Sequence, residues 1–236
     1  MIKIENVEVI GWEHAIRGMR NPMNSWDKSD SGLTCSQNKN NICDVNCTVD
    51  NYCKPLNKYL IGPNDHDLMM RLRNAGTDHR KFMRMIIVYM DITAPLYWWK
   101  EFDTYRVGVE KNSCSTMHKI HAKEFTMEDF SHEHLACIST LDYVVQELNC
   151  WRSRYIQYDE DPTVGENLKM SKKDIWWQMI QLLPTSYNQK RTVMINYEVL
   201  ANIYKSRRNH KLDEWVEFCK WIESLPYSEL IIGIDA

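Results

Sequence analysis

The chain has 236 residues, enough to bury one sizeable core, and its 44% hydrophobic and 26% charged residues exclude the disordered class. A net charge of −3 excludes general attraction to nucleic acid or an anionic membrane, so any phosphate must be recognised by locally placed Arg and Lys, which fits free nucleotides better than a duplex. No apolar stretch approaches the roughly 18–20 residues needed to span a bilayer and no basic-flanked apolar leader opens the sequence, so the cytoplasm is the expected compartment.

The opening IKIENVEVI alternates apolar and polar residues and predicts a strand, followed by a short helix over WEHAIRGMR. A polar, Asn-rich segment at about 31–58 then interrupts the pattern and reads as a surface insertion. Beyond it, HDLMMRLRNAG has helical apolar spacing through Leu68, Met69 and Leu72, with Asp65 as N-cap and Gly76 as stop. FMRMIIVYMDI predicts a buried strand, and Thr93 before Pro95 caps an expected helix APLYWWKEFDTYR. Two helices follow, ISTLDYVVQELNCWRSRYIQY and SKKDIWWQMIQLL, the second starting at Ser171 and closed by Pro184. KRTVMI predicts a strand, NYEVLANIYKSRR a helix, and LDEWVEFCKWIESL a last amphipathic helix before Pro226. The expected fold class is α+β and helix-rich with a central sheet, as one domain spanning 1–236. No glycine-rich phosphate loop is present.

Of eight cysteines, Cys35, Cys43, Cys47 and Cys53 fall in the insertion with spacing C-x7-C-x3-C-x5-C. Four thiolates can hold a structural zinc, but this spacing lacks the paired C-x2-C knuckles of common zinc modules. Free thiols in a reducing cytoplasm are the simpler reading. Cys114, Cys137, Cys150 and Cys219 read as small core or half-buried residues. Trp98, Trp99, Trp176 and Trp177 read as filling the core or a subunit interface. His118, His121, His132 and His134 lack the one-face spacing of a helical zinc site.

The run P95-L-Y-W-W-K-E-F-D-T-Y-R106 is followed after eight residues by Ser115, with Asn112 three before it. This resembles the signature of the flavin-dependent thymidylate synthases, in which a Pro-opened helix ends in Arg-His-Arg and a Ser follows seven or eight residues on. Thr104 and Tyr105 stand where the first Arg and the His would be, and Met117 where a further Arg is usual. A second match runs through Leu183-Pro184, Asn196 twelve residues on, Arg207 eleven further and then His210. There Ile180 replaces the family's Arg. A75-G-T-D-H-R-K-F82 occupies the place of a His- and Glu-bearing loop, and LPYSELII resembles the closing segment.

The resemblance, over roughly 60–235, implies binding of FAD and a pyrimidine deoxynucleotide at the interfaces of a homotetramer. The reaction it implies is reductive methylation of dUMP to dTMP, with methylene-tetrahydrofolate as carbon donor and NADPH as reductant. No protein nucleophile is needed, so no catalytic residue is assigned and Cys114–Ser115 is not a dyad. The implied substrate-binding residues are Glu101, Arg106, Asn112, Ser113, Ser115 and Arg207. The implied cofactor-binding residues are His79, Thr104, Tyr105, Arg106, Asn196 and His210. Arg suits this chemistry as a planar fork for phosphate or a base edge, and Asn and Ser as directed donors and acceptors. Two rivals remain: a flavoenzyme acting on another pyrimidine nucleotide, and a non-catalytic nucleotide-binding protein. As bland readings, Arg207 and His210 form a basic helix terminus and Arg106 is a surface cation.

Overall fold

The computed structural model describes residues 2–35, 38–42, 55–161 and 163–233. Strand β1 (Lys3–Ile10) leads into α1 (Trp12–Arg20), and two single 3-10 turns carry the chain to β2 (Gly32–Cys35) and β3 (Asn38–Ile42). After β4 (Pro55–Leu60) comes α2 (Pro63–Asn74), a 3-10 segment at Arg80–Met85, β5 (Ile87–Pro95) and α3 (Leu96–Phe102). Next are β6 (Val109–Ser113), α4 (Thr116–Lys119), α5 (Ile138–Glu160), α6 (Thr163–Leu168) and α7 (Lys172–Leu182). The chain closes with β7 (Asn188–Asn196), α8 (Tyr197–Arg207), α9 (Asp213–Glu223) and α10 (Glu229–Ile232). The result is helix-rich α+β, as the periodicities predict.

The central sheet is antiparallel, in the order β1-β5-β7-β6. Alternation along β5 sends Val88, Met90, Ile92 and Ala94 to one face, where all four are buried. That face packs on Trp12, Ile16, Trp98, Phe102, Leu200 and Trp215, which join one hydrophobic cluster. The opposite face carries a polar network in which Thr192, Asn6 and Lys190 bind the Asp91 carboxylate. A second, smaller cluster forms where α5 and α7 pack around Leu148 and Met179. Ser171 starts α7 with a reciprocal cap to Asp174, which explains the sharp onset there.

Four sequence expectations change. Gly62, not Asp65, is the N-cap of α2; Pro63 takes the first helical position and Asp65 lies inside, fully buried. Its carboxylate is needed elsewhere: it accepts from Arg20 Nε at 2.6 Å, Ser29 Oγ at 2.7 Å and Ser31 Oγ at 2.6 Å. Thr93 caps nothing, because β5 runs on to Pro95 through its pairing with β7, and α3 stops at Phe102 instead of Arg106. The segment read as an insertion keeps that reading and carries strands, β3-β2-β4 forming a second antiparallel sheet. Cys43, Cys47 and Cys53 lie outside the described residues, and so does the metal question. Finally, Cys114, Cys137 and Cys150 are exposed, and only Cys219 of those four is buried. Trp98 and Trp99 are fully buried as expected, whereas Trp177 is 40% exposed. Among the described residues no helix is long and apolar enough to cross a membrane.

The Arg20–Asp65 pair ties α1 to α2 and pins the intervening loop, because Arg20 also donates to Ser25 O and Lys28 O. Removing one partner leaves a buried charge uncompensated, so Asp65→Ala is expected to cost about 3–5 kcal/mol in urea unfolding. Acid should act in the same direction. Hydrogen bonds from Thr192, Asn6 and Lys190 push Asp91 down from 3.8 to about 2. Burial raises Asp65, but Ser31, Ser29 and Arg20 outweigh it and leave its pKa below the ordinary value. Both carboxylates bind protons more readily when unfolded. The Asp91 contribution is therefore full above the ordinary value of 3.8 and lost as pH falls toward about 2, with Asp65 acting in the same direction, a slope that thermal melts would show and that Asp91→Asn should flatten.

Candidate functional site

The pairing of β5 with β7 fixes where the two matched motifs meet. Pro95, at the end of β5, pairs with Asn188, and Val109, at the start of β6, pairs with Ile195. The segment 96–108 must therefore cross from one end of β7 to the other. It opens with the Leu96 and Tyr97 amides donating to Tyr187 O and Thr185 O, both at 3.0 Å, which satisfies two free N–H groups of α3. Trp98, Trp99 and Phe102 point into the core, leaving Glu101 on the outer side. Helix α8 starts at the Asn196 end and returns over the same ground, so that Arg207 in its last turn reaches Glu101.

The contacts there are specific. Arg207 Nη1 donates to Glu101 Oε2 at 2.7 Å, and Arg207 Nε donates to Tyr105 Oη at 3.1 Å. The guanidinium also lies over the Trp215 ring at 4.8 Å, and Trp215 Nε1 donates to the same Glu101 oxygen at 3.0 Å. His210 Nδ1 accepts from the Leu212 amide at 3.1 Å, and its Nε2 lies 3.4 Å from Glu101 Oε2. Arg207 Nη1 is 2.9 Å from that Nε2. Glu101 thus gathers Arg207, Trp215 and His210, and Arg207 is a neutralised cation stacked on an aromatic ring. Trp215 was not anticipated as part of this group; its spacing of five residues from His210 carried no signal.

The remaining predicted residues surround this cluster or lie apart from it. Thr104 is exposed and closes α3 by donating to Glu101 O at 2.7 Å. Arg106 is exposed and has no hydrogen-bond or ion-pair partner among the described residues. Asn112 and Ser113 are exposed on β6, an edge strand of the central sheet. Ser115 Oγ caps α4 by accepting from the His118 amide at 3.1 Å, so its oxygen already has a structural task. Asn196 is buried and caps α8, accepting from the Val199 amide at 3.0 Å. His79 is exposed ahead of the 3-10 segment, and its side chain makes no hydrogen bond or ion pair among the described residues. Met117 is 53% exposed, and Ile180 packs against the smaller hydrophobic cluster.

Beside Tyr105 sits a second charged group. Asp103 receives Lys111 at 2.8 Å and Arg191 at 2.9 Å, and Arg191 stacks over Trp99 at 4.2 Å. Burial raises Asp103, but these two cations prevail and hold its pKa below the usual carboxylate range. Lys111 and Arg191 are therefore committed, and Arg106 is the open cation of this loop among the described residues.

No protein-family model matches the sequence, and no curated protein is significantly similar to it. Solved structures do match. Thymidylate synthase X from Helicobacter pylori, crystallised with FAD and dUMP, aligns over 98% of both chains at TM-score 0.63 and 14% identity. A second structure of the flavin-dependent H. pylori enzyme complexed with FAD and dUMP aligns over 97% of this chain and 98% of that chain, at TM-score 0.62 and 15% identity. The fold is that of thymidylate synthase X. At this identity the likeness establishes the architecture alone.

Gly108 locks the loop that carries Arg106. Its φ is +75°, and a Cβ there would lie 2.5 Å from Asn196 Nδ2. Gly108→Ala must therefore strain the backbone and push on the α8 cap together, and a loss of about 1–3 kcal/mol is expected in chemical denaturation. Replacing Gly76, whose φ is +110° but which has open space around it, leaves the α8 cap untouched and should cost less.

Proposed function

We propose that the chain binds a flavin and a pyrimidine deoxynucleotide along the Asp103–Gly108 loop and the β6 edge. The reaction we propose is reductive methylation of dUMP to dTMP, with methylene-tetrahydrofolate and NADPH as co-substrates. The observation that carries this reading is the convergence of two motifs about a hundred residues apart in sequence, since Glu101 and Tyr105 of the first touch Arg207 and His210 of the second. Solved examples of the fold hold FAD and dUMP, which supports the same reading. The donor set fits a phosphate-bearing group at its polar end. Arg106 offers a guanidinium with no partner among the described residues, and Asn112 and Ser113 lie exposed on the strand that follows.

When bound, FAD supplies hydride transfer; the protein residues hold and polarise. On this reading Arg106 takes a phosphate, while the Glu101–Arg207–His210 group orients a pyrimidine edge with fixed donors and one carboxylate acceptor. The ring of Tyr105 is positioned where the family has a His, and offers a stacking face without a titrating nitrogen. Homotetramer formation, a cytoplasmic location and a single domain over 1–236 belong to the same proposal.

One observation favours the rival readings, a different pyrimidine nucleotide or non-catalytic binding. Glu101 neutralises Arg207, and Thr104, Met117 and Ile180 stand where the family carries cations. Each missing charged hydrogen bond typically weakens binding by about 1.5–3 kcal/mol. Purified protein should release flavin on denaturation or change its visible spectrum on adding FAD; neither occurring would remove the flavoenzyme reading. In calorimetric titration with dUMP, Arg207→Ala should lose about 2–4 kcal/mol of affinity, because the pocket has few other cations to share the task. Equal affinities for variant and wild type would identify Arg207 as a helix-end cation paired with Glu101 for stability alone.

A further inference from the structure

A cavity of about 640 Å³ lies between the end of β1, the first turn of α1, the end of β4 and the turn at 226–227, and it shares no residue with the site above. Backbone constraints shape it on two sides. Gly11 turns the chain from β1 into α1 at φ +95°, where a Cβ would lie 2.0 Å from Met85 O. Tyr227 has φ +52°, which a bulky side chain rarely adopts, and its ring is held in place: Oη accepts from the Ile61 amide at 2.9 Å, and the ring meets Trp12 edge-to-face at 5.2 Å. A conformation of this kind persists where the surroundings over-determine it, and it recurs at ligand clamps.

The lining has one chemical character. Trp12, Tyr59 and Tyr227 contribute rings, and Ile10, Leu60 and Pro226 contribute aliphatic surface. Trp12 is itself fixed by a second edge-to-face contact, with Tyr197 at 5.4 Å, so this side of the cavity is stiff. Glu13 is the only carboxylate of the lining, and no Lys or Arg lines the cavity among the described residues. Glu13 and His14 are exposed, and neither side chain has a hydrogen-bond or ion-pair partner among the described residues. Tyr59 has none either. Burial first, and then Glu13 and Asp65, pushes its phenol up to about 12, so it stays a neutral ring at ordinary pH. Aromatic faces carry negative charge density, and an unpaired carboxylate adds to it. Such a lining repels an anion and suits a cation whose own body is apolar.

We propose that this cavity binds a small organic cation, an ammonium group carried on an apolar body, with the body among Trp12, Tyr59 and Tyr227 and the charge toward Glu13. Its volume falls in the range of small-molecule sites, roughly 300–1,000 Å³. Aromatic rings recognise quaternary ammonium groups through the same electrostatics. A cation is opposite in charge to the ligands argued for the nucleotide site, so this site does not rest on the flavin reading.

The test is titration calorimetry of the full-length protein with benzyltrimethylammonium, benzyl alcohol and benzenesulfonate, which share a phenyl ring and differ in charge. The cation should bind once per chain and at least about threefold more tightly than the neutral probe, with the anion weakest. Glu13→Gln, at an exposed position, should weaken the cation at least about threefold, leave benzyl alcohol unchanged and keep the wild-type circular dichroism spectrum. Glu217→Gln, at an exposed carboxylate of α9, should bind as wild type does. Undetectable cation binding at millimolar concentration, equal affinities for the cation and the neutral probe, an equal loss in Glu217→Gln, or wild-type cation affinity in Glu13→Gln would overturn the proposal. The last outcome would leave Glu13 as a complement to the α1 dipole alone.

Discussion

The antiparallel ladder between β5 and β7 is the constraint on which the rest depends. Its nine residue pairs run from Ile87↔Asn196 to Pro95↔Asn188, so each strand hands the chain to a helix at an opposite end. Nine residues span roughly 30 Å of sheet. The eleven residues of α8 and seven of α3 cover about 16 Å and about 10 Å, so helices returning from the two ends meet part-way. They meet at Arg207 and Glu101. A register slip of one residue would send Val88, Met90, Ile92 and Ala94 to the polar face and separate the two motifs, so burial of the sheet and assembly of the site are enforced by the same pairing.

The elements most legible in the sequence have local causes. Asn196 before a helical run and Ser171 with Asp174 three residues on are caps whose hydrogen bonds form within a turn, and both helices begin where those residues predict. The apolar alternation of β5 and the spacing of α9 were equally readable, because each buries one face. What was not legible depends on distant partners. Asp65 looks like an N-cap, yet Arg20, forty-five residues earlier, requires its carboxylate inside the helix. The stop of α3 at Phe102 reflects the crossing to Val109, which only the β6–β7 pairing imposes. Motif spacing brought Glu101, Tyr105, Arg207 and His210 into one list, but nothing local in the sequence shows that Glu101 and Arg207 bond to each other.

Charge segregation runs through the structure. Arg20 is closed by Asp65, Arg80 by Glu198, Arg191 and Lys111 by Asp103, and Arg207 by Glu101. These pairs fasten helices and strands to one another, and their cations have little left to offer a ligand. An acidic chain with most of its buried cations paired attracts anions only where pairing fails. Among the described residues, Arg106, Lys205 and Arg208 are exposed cations that have no ion-pair partner.

The closed state of Arg207 also decides how a nucleotide would have to lie. A phosphate approaching Arg207 must compete with Glu101, whose Oε2 is held by the Arg207 guanidinium and the Trp215 indole with His210 nearby, so the anion would enter beside a fixed negative charge. Repulsion at such distances is several times stronger in a partly dry pocket than in water. Arg106 carries no such neighbour. On the proposed reading, the phosphate of a nucleotide would be favoured at Arg106, and the uncharged base at the Glu101–Arg207 pair, where one end of the group donates and the other accepts. A base is the ligand part that a neutral, two-sided polar group can read. The same carboxylate that weakens the case for an anion at Arg207 thus supplies the acceptor that a pyrimidine N–H needs.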